Sequence, residues 1–296
     1  MRLSLYSLQV FLSVIDEGAI SKAAEKEHIA TSALSKRISE LEQALGTPLL
    51  LRQARGVQPT VAGSVLAKGA RLLLRNANDL AEEIEHFASG LSGHVRIAAN
   101  LSSITQFLPP ELARFSEANP YVQVDLEERV SNEVVRLVAG NAADIGVYTT
   151  ADQDVDLETF PYRKDRMVLV VPIEHTLADL DEVAFADTLE YAHVGMHPGS
   201  AANFMLMRHA SDVQRQIKLR FQVTSYDAMI AMIRAGLGIG LMPNQSIASY
   251  KADGLKVLDL TDEWASRQLK LCVRSVDALT PAARMLLDQL RASVVQ

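Results

Sequence analysis

Thr31, Ser32, Ser35 and Lys36 stand together in the stretch TSALSK. Short polar side chains with one cation among them are suited to the base edges and phosphates of duplex DNA rather than to making or breaking bonds. Leu34, Ile38, Leu41 and Leu45 recur at steps of four, three and four, the spacing of a buried helical stripe, which leaves Ser32, Ser35, Lys36 and Ser39 on the opposite side. In a helix-turn-helix the second helix enters the major groove with its N-terminal residues leading. Thr31 and Ser32 fall at that end. Residues 18–42, GAISKAAEKEHIATSALSKRISELE, read as the two helices and the turn between them.

A second group of polar residues falls where apolar strands end. Asn100, Ser102, Ser103 and Thr105 follow VRIAA; Ser131 and Asn132 follow VQVDLEE; His197, Gly199 and Ser200 follow AHVGM; Thr224 and Ser225 follow LRFQV. Ser, Thr and Asn are the usual helix N-caps, and capping accounts for each one singly. In an open α/β sheet, however, ligands sit beyond the carboxyl ends of strands, where helix N-termini direct their amides. The two readings are compatible, since caps around a crevice can hold a small anion.

Motifs for catalysis are missing. There is no GxSxG, HExxH, P-loop or GxGxxG, and the glycines at 236, 238 and 240 have the wrong spacing for a phosphate cradle. His193 and His197 share an HxxxH spacing but straddle a strand end and a Pro198 turn, which disfavours a metal pair. Asp144 and Asp165 read as turn residues rather than general acids. Cys272, the one cysteine, lies in the apolar run LKLCV and reads as core packing, because a disulfide switch needs a second thiol. No cofactor is implied.

The elements that must position these groups can be read from periodicity and breakers. A first helix over 4–16 carries Leu5, Leu8, Phe11, Leu12 and Ile15 on one face and ends at Gly18; a second runs from Ser21, its N-cap, to Glu27; a third runs from Ser32 to Leu45 and closes at Gly46. TPLLLRQARGVQPT then has the punctuation of a two-stranded hairpin, a wing that offers Arg52 and Arg55 to phosphate or the minor groove. From Val61 to Ser89 a long helix repeats Leu66, Leu73, Leu80 and Phe87 at seven-residue steps, with Gly63, Ala70, Ala77 and Ile84 on the interleaved register. Such a seam calls for a partner helix, a second copy of the chain, although packing on its own domain would also use it. SGLSGH at 89–94 is a hinge, and beyond it apolar strands and helices alternate in the manner of an α/β domain with largely parallel sheets.

Composition agrees with several domains and limits the partners. The chain of 296 residues is 48% hydrophobic and 22% charged, ordinary for a globular protein but too long for one usual core. Net charge is −7, which at first argues against nucleic acid. Yet residues 1–94 hold ten basic and ten acidic residues, and 31–75 hold seven basic against two acidic. Lys36, Arg37, Arg52, Arg55, Lys68, Arg71 and Arg75 therefore form either a solvated face or a positive footprint for a phosphate backbone. The N-terminus lacks a signal peptide's apolar run and cleavage site, and no stretch approaches the roughly 18 apolar residues of a membrane span. A cytoplasmic location and no membrane partner are the expectations.

The chain resembles the LysR-type transcriptional regulators along essentially its whole length. The motifs are AA at 23–24, SALSKRISELE at 32–42, GTPLLLR at 46–52, RGVQPTVAG at 55–63 and AGLGIGLMP at 235–243. The resemblance implies an α+β multi-domain protein: a winged helix-turn-helix over 1–60, a dimerising linker helix over 61–89, a hinge over 90–94 and an effector domain over 95–296. That domain would have the type 2 periplasmic-binding fold, with lobe I at about 95–163 and 268–296 and lobe II at about 164–267. Double-stranded DNA and a small-molecule inducer are the implied partners, with a homodimer through the linker helix and a homotetramer as the assembly. By family position Thr31, Ser32, Ser35, Lys36 and Arg55 would contact DNA, joined by Arg37 and Arg52. Ser102, Ser103, Ser131, Ser200 and Ser225 match the inducer cleft, and Asn100, Tyr148 and Thr224 complete that set. Departures are Glu27 and Pro59, each where the family commonly has leucine, and the lack of an aromatic near Leu50. An enzyme and a solute receptor for transport are the competing classes; the receptor would share the cleft but have no use for residues 1–60.

Overall fold

The structure is a computed structural model describing residues 4–53, 56–89, 93–149, 156–247, 250 and 253–293. The chain divides into two compact units, residues up to 90 together with 140–142, and the remainder.

In the first unit α1 (Leu5–Glu17) stops at Gly18, whose φ of 64° is left-handed. α2 (Ile20–Lys26) and α3 (Thr31–Leu45) follow, with α3 ending at Gly46. Leu8, Phe11, Ala23, Leu34, Ile38 and Leu49 are fully buried together, so the stripe read from spacing is the core of this unit. At about 1.5–3 kcal/mol for each large side chain, this burial sets how α3 sits on α1. Ser21 is not the cap of α2. The chain enters that helix at Ala19, without a side-chain cap, and the half-buried Ile20 packs on the cluster.

β1 (Leu50–Gln53) and β2 (Gly56–Pro59) form the hairpin, antiparallel with Leu50 opposite Pro59. Its base is tied to the helices at two points. Glu42 Oε1 accepts from the amides of Leu49 (2.8 Å) and Leu50 (3.2 Å), and Gly18 O accepts from Val57 N (2.8 Å). Pro59, which has no amide to donate, sits at the last ladder position, where its cost is least.

α4 (Val61–Ser89) is 29 residues, about 44 Å of helix. The heptad reading of its first half needs correction. Gly63 and Ala70, placed on a seam for a second helix, face their own domain: Ala67 and Ala70 are buried, and Leu66 and Leu74 pack against the same cluster. A Cβ on Gly63 would stand 2.0 Å from Leu49 O, so the glycine permits contact between helix and wing base. Val61, Val65, Leu73, Leu80 and Ile84 remain exposed on the other side. The Arg52, Arg55 and Phe87 side chains and hinge residues 90–92 lie outside the described residues.

The second unit begins with β3 (Gly93–Ala99), α5 (Leu101–Gln106), α6 (Leu108–Ala118), β4 (Val122–Glu128), α7 (Ser131–Ala139) and β5 (Ile145–Tyr148). β6 (Glu158–Pro172) is a 15-residue strand. After it come β7 (Glu182–Val183), α8 (Phe185–Thr188), β8 (Ala192–Met196), α9 (Ala201–Asp212), β9 (Lys218–Val223), α10 (Tyr226–Arg234), β10 (Gly240–Pro243), α11 (Asn244–Ile247), β11 (Leu255–Leu260), β12 (Ser266–Val273) and α12 (Pro281–Ala292). Thr280 caps α12 as its sequence suggests, its hydroxyl accepting from Ala283 N.

The sheets are mixed, not largely parallel. β3 runs parallel to β4 and β5, and β8 parallel to β9, but β6 is antiparallel to β10, β11 and β12, and β12 is antiparallel to β5. β6 is the reason. Residues 158–166 pair with β12, whereas residues 167–172 pair with β10 and β11, so one strand passes from the sheet of lobe I to that of lobe II. In each lobe helices cover both sheet faces, and separate apolar clusters fill the layers. Among the described residues no helix is long and apolar enough to cross a membrane.

Candidate functional site

The N-terminal turn of α3 presents Thr31 and Ser32 to solvent, with Ser35 half-buried one turn on. Its N-cap residue, Ala30, has no side chain to occupy the first amides, so the positive end of a 15-residue helix is left for an anion. Lys36 is extended into solvent and only loosely paired with Glu40, at 3.9 Å. The rest of the positive footprint is partly tied down. Arg37 lies over the Tyr6 ring (4.7 Å to its centroid) and donates to Ser7 Oγ (3.3 Å), and Arg71 is paired with Asp16 at 2.5 Å. Arg52 is on β1, beside the hairpin turn.

In the second unit four helix starts converge on a cavity of about 200 Å³. Asn100 and Ser102 come from the start of α5, Ser131 from α7, Ser200 from α9 and Tyr226 from α10. Capping and lining coincide at Asn100 and Ser200, whereas Ser131 lines the cavity from inside the first turn of α7 and Ser225 makes no cap bond. Asn100 Oδ1 accepts from Ser103 N (3.0 Å) and Ser103 Oγ (2.6 Å), while its Nδ2 donates to Ser131 Oγ (3.4 Å) and Thr149 Oγ1 (3.3 Å). Ser200 Oγ accepts from Asn203 N at 3.1 Å.

Other expected residues stand elsewhere. Ser103 has no exposed surface, spends its hydroxyl on Asn100 and is not among the residues lining the cavity. Tyr148 lines a different cavity. Thr224 is exposed outside the lining, and Ser225 is half-buried with its hydroxyl on the Asp227 carboxylate, which that bond holds below its usual range. His197, one of the polar residues read at strand ends, lines the cavity, as do Arg129 and Tyr226, which were not singled out in the sequence. Tyr226 carried a faint signal, since it follows the cap position Ser225.

Behind the cavity is a buried ion pair on the strands that join the lobes. Arg267 of β12 donates through Nε to Asp165 Oδ1 of β6 (2.8 Å) and through Nη2 to Asp165 Oδ2, and Gln106 Nε2 adds a bond to the same carboxylate (3.0 Å). Arg267 Nη2 also reaches Ser102 Oγ (3.4 Å), which meets the Tyr226 hydroxyl at 3.1 Å. Ser102 is thereby linked to lobe II and to the connecting strands. Burial pushes the Tyr226 phenol up, so it stays protonated and able to donate. Asp165, on β6, is an ion-pair partner rather than a turn residue, and Asp144, in the bend before β5, is also an ion-pair partner, accepting from Arg96 N (2.8 Å) and Arg96 Nη2 (2.5 Å).

The remaining candidates for chemistry have structural roles. His193 is fully buried, with Nδ1 3.1 Å from Tyr191 O and Nε2 3.3 Å from Thr188 Oγ1; burial pushes its pKa down to about 4. His197 turns to Pro198 O (3.0 Å). Among the described residues no group of three His, Cys, Asp or Glu is placed to hold a metal. Burial pushes the Cys272 thiol up to about 12, where it is neither nucleophilic nor easily oxidised.

Comparison with known proteins bears on both sites. Residues 5–64 match the family description "Bacterial regulatory helix-turn-helix protein, lysR family", and residues 88–294 match "LysR substrate binding domain". The HTH-type transcriptional regulator YbhD of Escherichia coli is 24% identical over 96% of this chain and 89% of its own length. The RuBisCO operon transcriptional regulator of Allochromatium vinosum is 25% identical over 96% and 94%. Among solved structures, CbnR, a LysR family transcriptional regulator, superposes with a TM-score of 0.73 at 19% identity over 99% of both chains. The effector binding domain of QuiR in complex with shikimate gives 0.61 at 19% identity over 68% of this chain and 97% of that one. With the two family descriptions matching both the helix-turn-helix and the two-lobed domain in order, the chain belongs to the LysR family of DNA-binding transcriptional regulators, proteins that carry an effector-binding domain and are not enzymes.

Proposed function

We propose that the N-terminus of α3, with Thr31, Ser32, Ser35 and Lys36, reads base edges and phosphates in the major groove of an operator, that Arg52 and Arg55 of the wing hold the flanking backbone, and that a small polar metabolite in the 200 Å³ cavity modulates this binding. The observation that carries the reading is the cavity wall itself: hydroxyls and helix amides from both lobes face one space, and the Ser102–Tyr226 bond spans the lobes across it. A ligand held there favours one lobe spacing over another, because it binds that spacing better. Support comes from relatives of the same fold. CbnR has been crystallised complexed with its target DNA, and QuiR's domain with shikimate.

Assembly follows from α4. Leu73, Leu80 and Ile84 are exposed on a helix that packs its other side on its own domain, and pairing of two such helices covers them. A homodimer through α4 makes the operator dyad-symmetric, and pairing of dimers gives a homotetramer. Thermal unfolding of the full chain across a metabolite panel tests the effector reading. A binder raises the melting temperature in a dose-dependent way, and Ser131→Val abolishes the shift. A binder whose shift is untouched by Ser131→Val places the effector elsewhere. Footprinting on the adjacent promoter tests the DNA reading, and an asymmetric protected region with no dyad overturns it.

A further inference from the structure

The wing is too small to hold its own pose. β1 and β2 are four residues each, and a two-stranded ladder of that length is marginal by itself. Leu49 and Leu50 are buried in the apolar cluster of the first unit, but apolar burial is non-directional and leaves the tilt of the hairpin open. Direction comes from hydrogen bonds. Two side chains supply them to the same short segment, residues 48–50, from two different helices.

Glu42, in the last turn of α3, accepts from both Leu49 N and Leu50 N through one oxygen, Oε1. Thr60, the residue before α4, does the complementary work on the carbonyls. Its hydroxyl donates to Pro48 O (2.9 Å) and accepts from Gly63 N (2.9 Å), while its amide donates to Leu49 O (2.9 Å). Gly63, without a Cβ, lets α4 come down on that same Leu49 carbonyl. One peptide block is therefore shared by the recognition helix, the hairpin and the start of α4. Further along the hairpin, Arg52 stands opposite Val57, whose amide donates to Gly18 O (2.8 Å) in the turn between α1 and α2. A hydroxyl has one proton to give, and that of Thr60 is given to Pro48 O. A carboxylate so near a phosphate-binding hairpin is unfavourable on charge alone, and its two amide bonds supply the reason for it.

Building on the DNA reading of α3 and the wing, we infer that Glu42 and Thr60 are positioning residues: by clamping residues 48–50 they fix where Arg52 stands relative to the recognition helix, and so set how many phosphates the domain engages, without touching DNA themselves.

The test measures binding of the full chain to the promoter fragment it protects in footprinting, from about 50 to 300 mM salt. In the parent, Arg52→Ala should lower the salt slope by about one. Thr60→Val and Glu42→Leu should each weaken binding about tenfold or more and lower the slope by about one, whereas Thr60→Ser and Glu42→Gln, which keep the bonds, restore both. In the Thr60→Val chain a further Arg52→Ala should change affinity less than about twofold, because the arginine has already lost its place; a general loss of stability leaves the two effects additive. Gly63→Ala presses on Leu49 O while keeping every hydrogen-bonding group, and should reproduce the Thr60→Val slope even where circular dichroism shows Thr60→Val itself to be unfolded. Additive effects of Thr60→Val and Arg52→Ala, or a parental salt slope in Glu42→Leu or Gly63→Ala, overturn the inference while leaving the DNA reading in place. A parent whose binding ignores salt, or in which Arg52→Ala leaves the slope unchanged, refutes the DNA reading of the wing and the inference with it.

Discussion

Acid should loosen lobe II through a single buried imidazole. His193, on β8, has no solvent contact, and its Nδ1 faces a carbonyl, Tyr191 O, which can only accept; the neutral ring therefore carries its proton on Nδ1. Burial lowers its pKa from 6.5 to about 4. Below pH 6.5 the unfolded chain binds this proton and the folded chain does not, so stability falls as pH drops from 6.5 and the loss is complete only below 4. The 2.5-unit gap corresponds to a ceiling of about 3.4 kcal/mol, of which roughly 2 kcal/mol is lost between pH 7 and 5. Urea unfolding followed by Trp264 emission reads this directly, because Trp264 packs against the apolar cluster of lobe II. His193→Asn keeps a donor for Tyr191 O but has no titrating ring. The variant should lose about 2 kcal/mol less stability than the parent between pH 7 and 5, with carboxylate effects common to both. If parent and variant lose stability equally over that interval, the buried neutral histidine is not what destabilises the lobe.

Three further outcomes are expected. Arg267→Met strands the buried Asp165 carboxylate and should cost about 3–5 kcal/mol of stability in urea unfolding, most of it recovered in Asp165→Leu/Arg267→Met, which removes both charges. Leu73→Glu/Leu80→Glu, on the exposed side of α4, should convert the assembly to monomers in light-scattering chromatography while leaving the core of the first unit intact. Lys36→Ala should weaken binding to operator and random DNA alike and reduce the salt slope by about one, whereas Ser35→Ala should narrow the gap between the two DNAs; a salt slope unchanged in Lys36→Ala would remove that lysine from the phosphate contacts.

What could be read before the structure was known depends on the range of the interactions involved. α3 was legible because Leu34, Ile38 and Leu41 form a stripe whose partners, Leu8 and Phe11, form a stripe of their own. α4 was legible as a helix and misread as a surface, since a seam of small residues looks alike whether it meets a second copy or its own domain. Gly63 shows the difference. Its reason is the carbonyl of Leu49, 14 positions back in the sequence. The first half of β6, ETFPYRKDR, carries charges and Pro161 and does not look like a strand, although its pairing with β12 joins the lobes.

The same distinction separates the serines at the cavity. A cap is a local device, so Asn100 and Ser200 could be picked out from the few residues around them. Ser102 and Ser103 are adjacent and chemically identical, but successive residues on a helix point about 100° apart. Ser102 turns toward Tyr226 and Arg267, and Ser103 turns back to Asn100 with no surface at all. Which one meets a ligand is decided by the phase of α5, and that phase is fixed by long-range packing of the turn, including the Thr105 hydroxyl 3.0 Å from Ser246 in lobe II. Rotating α5 by one residue would exchange the two serines without altering a local cap preference, so the composition of the wall belongs to the assembled lobes rather than to any single segment.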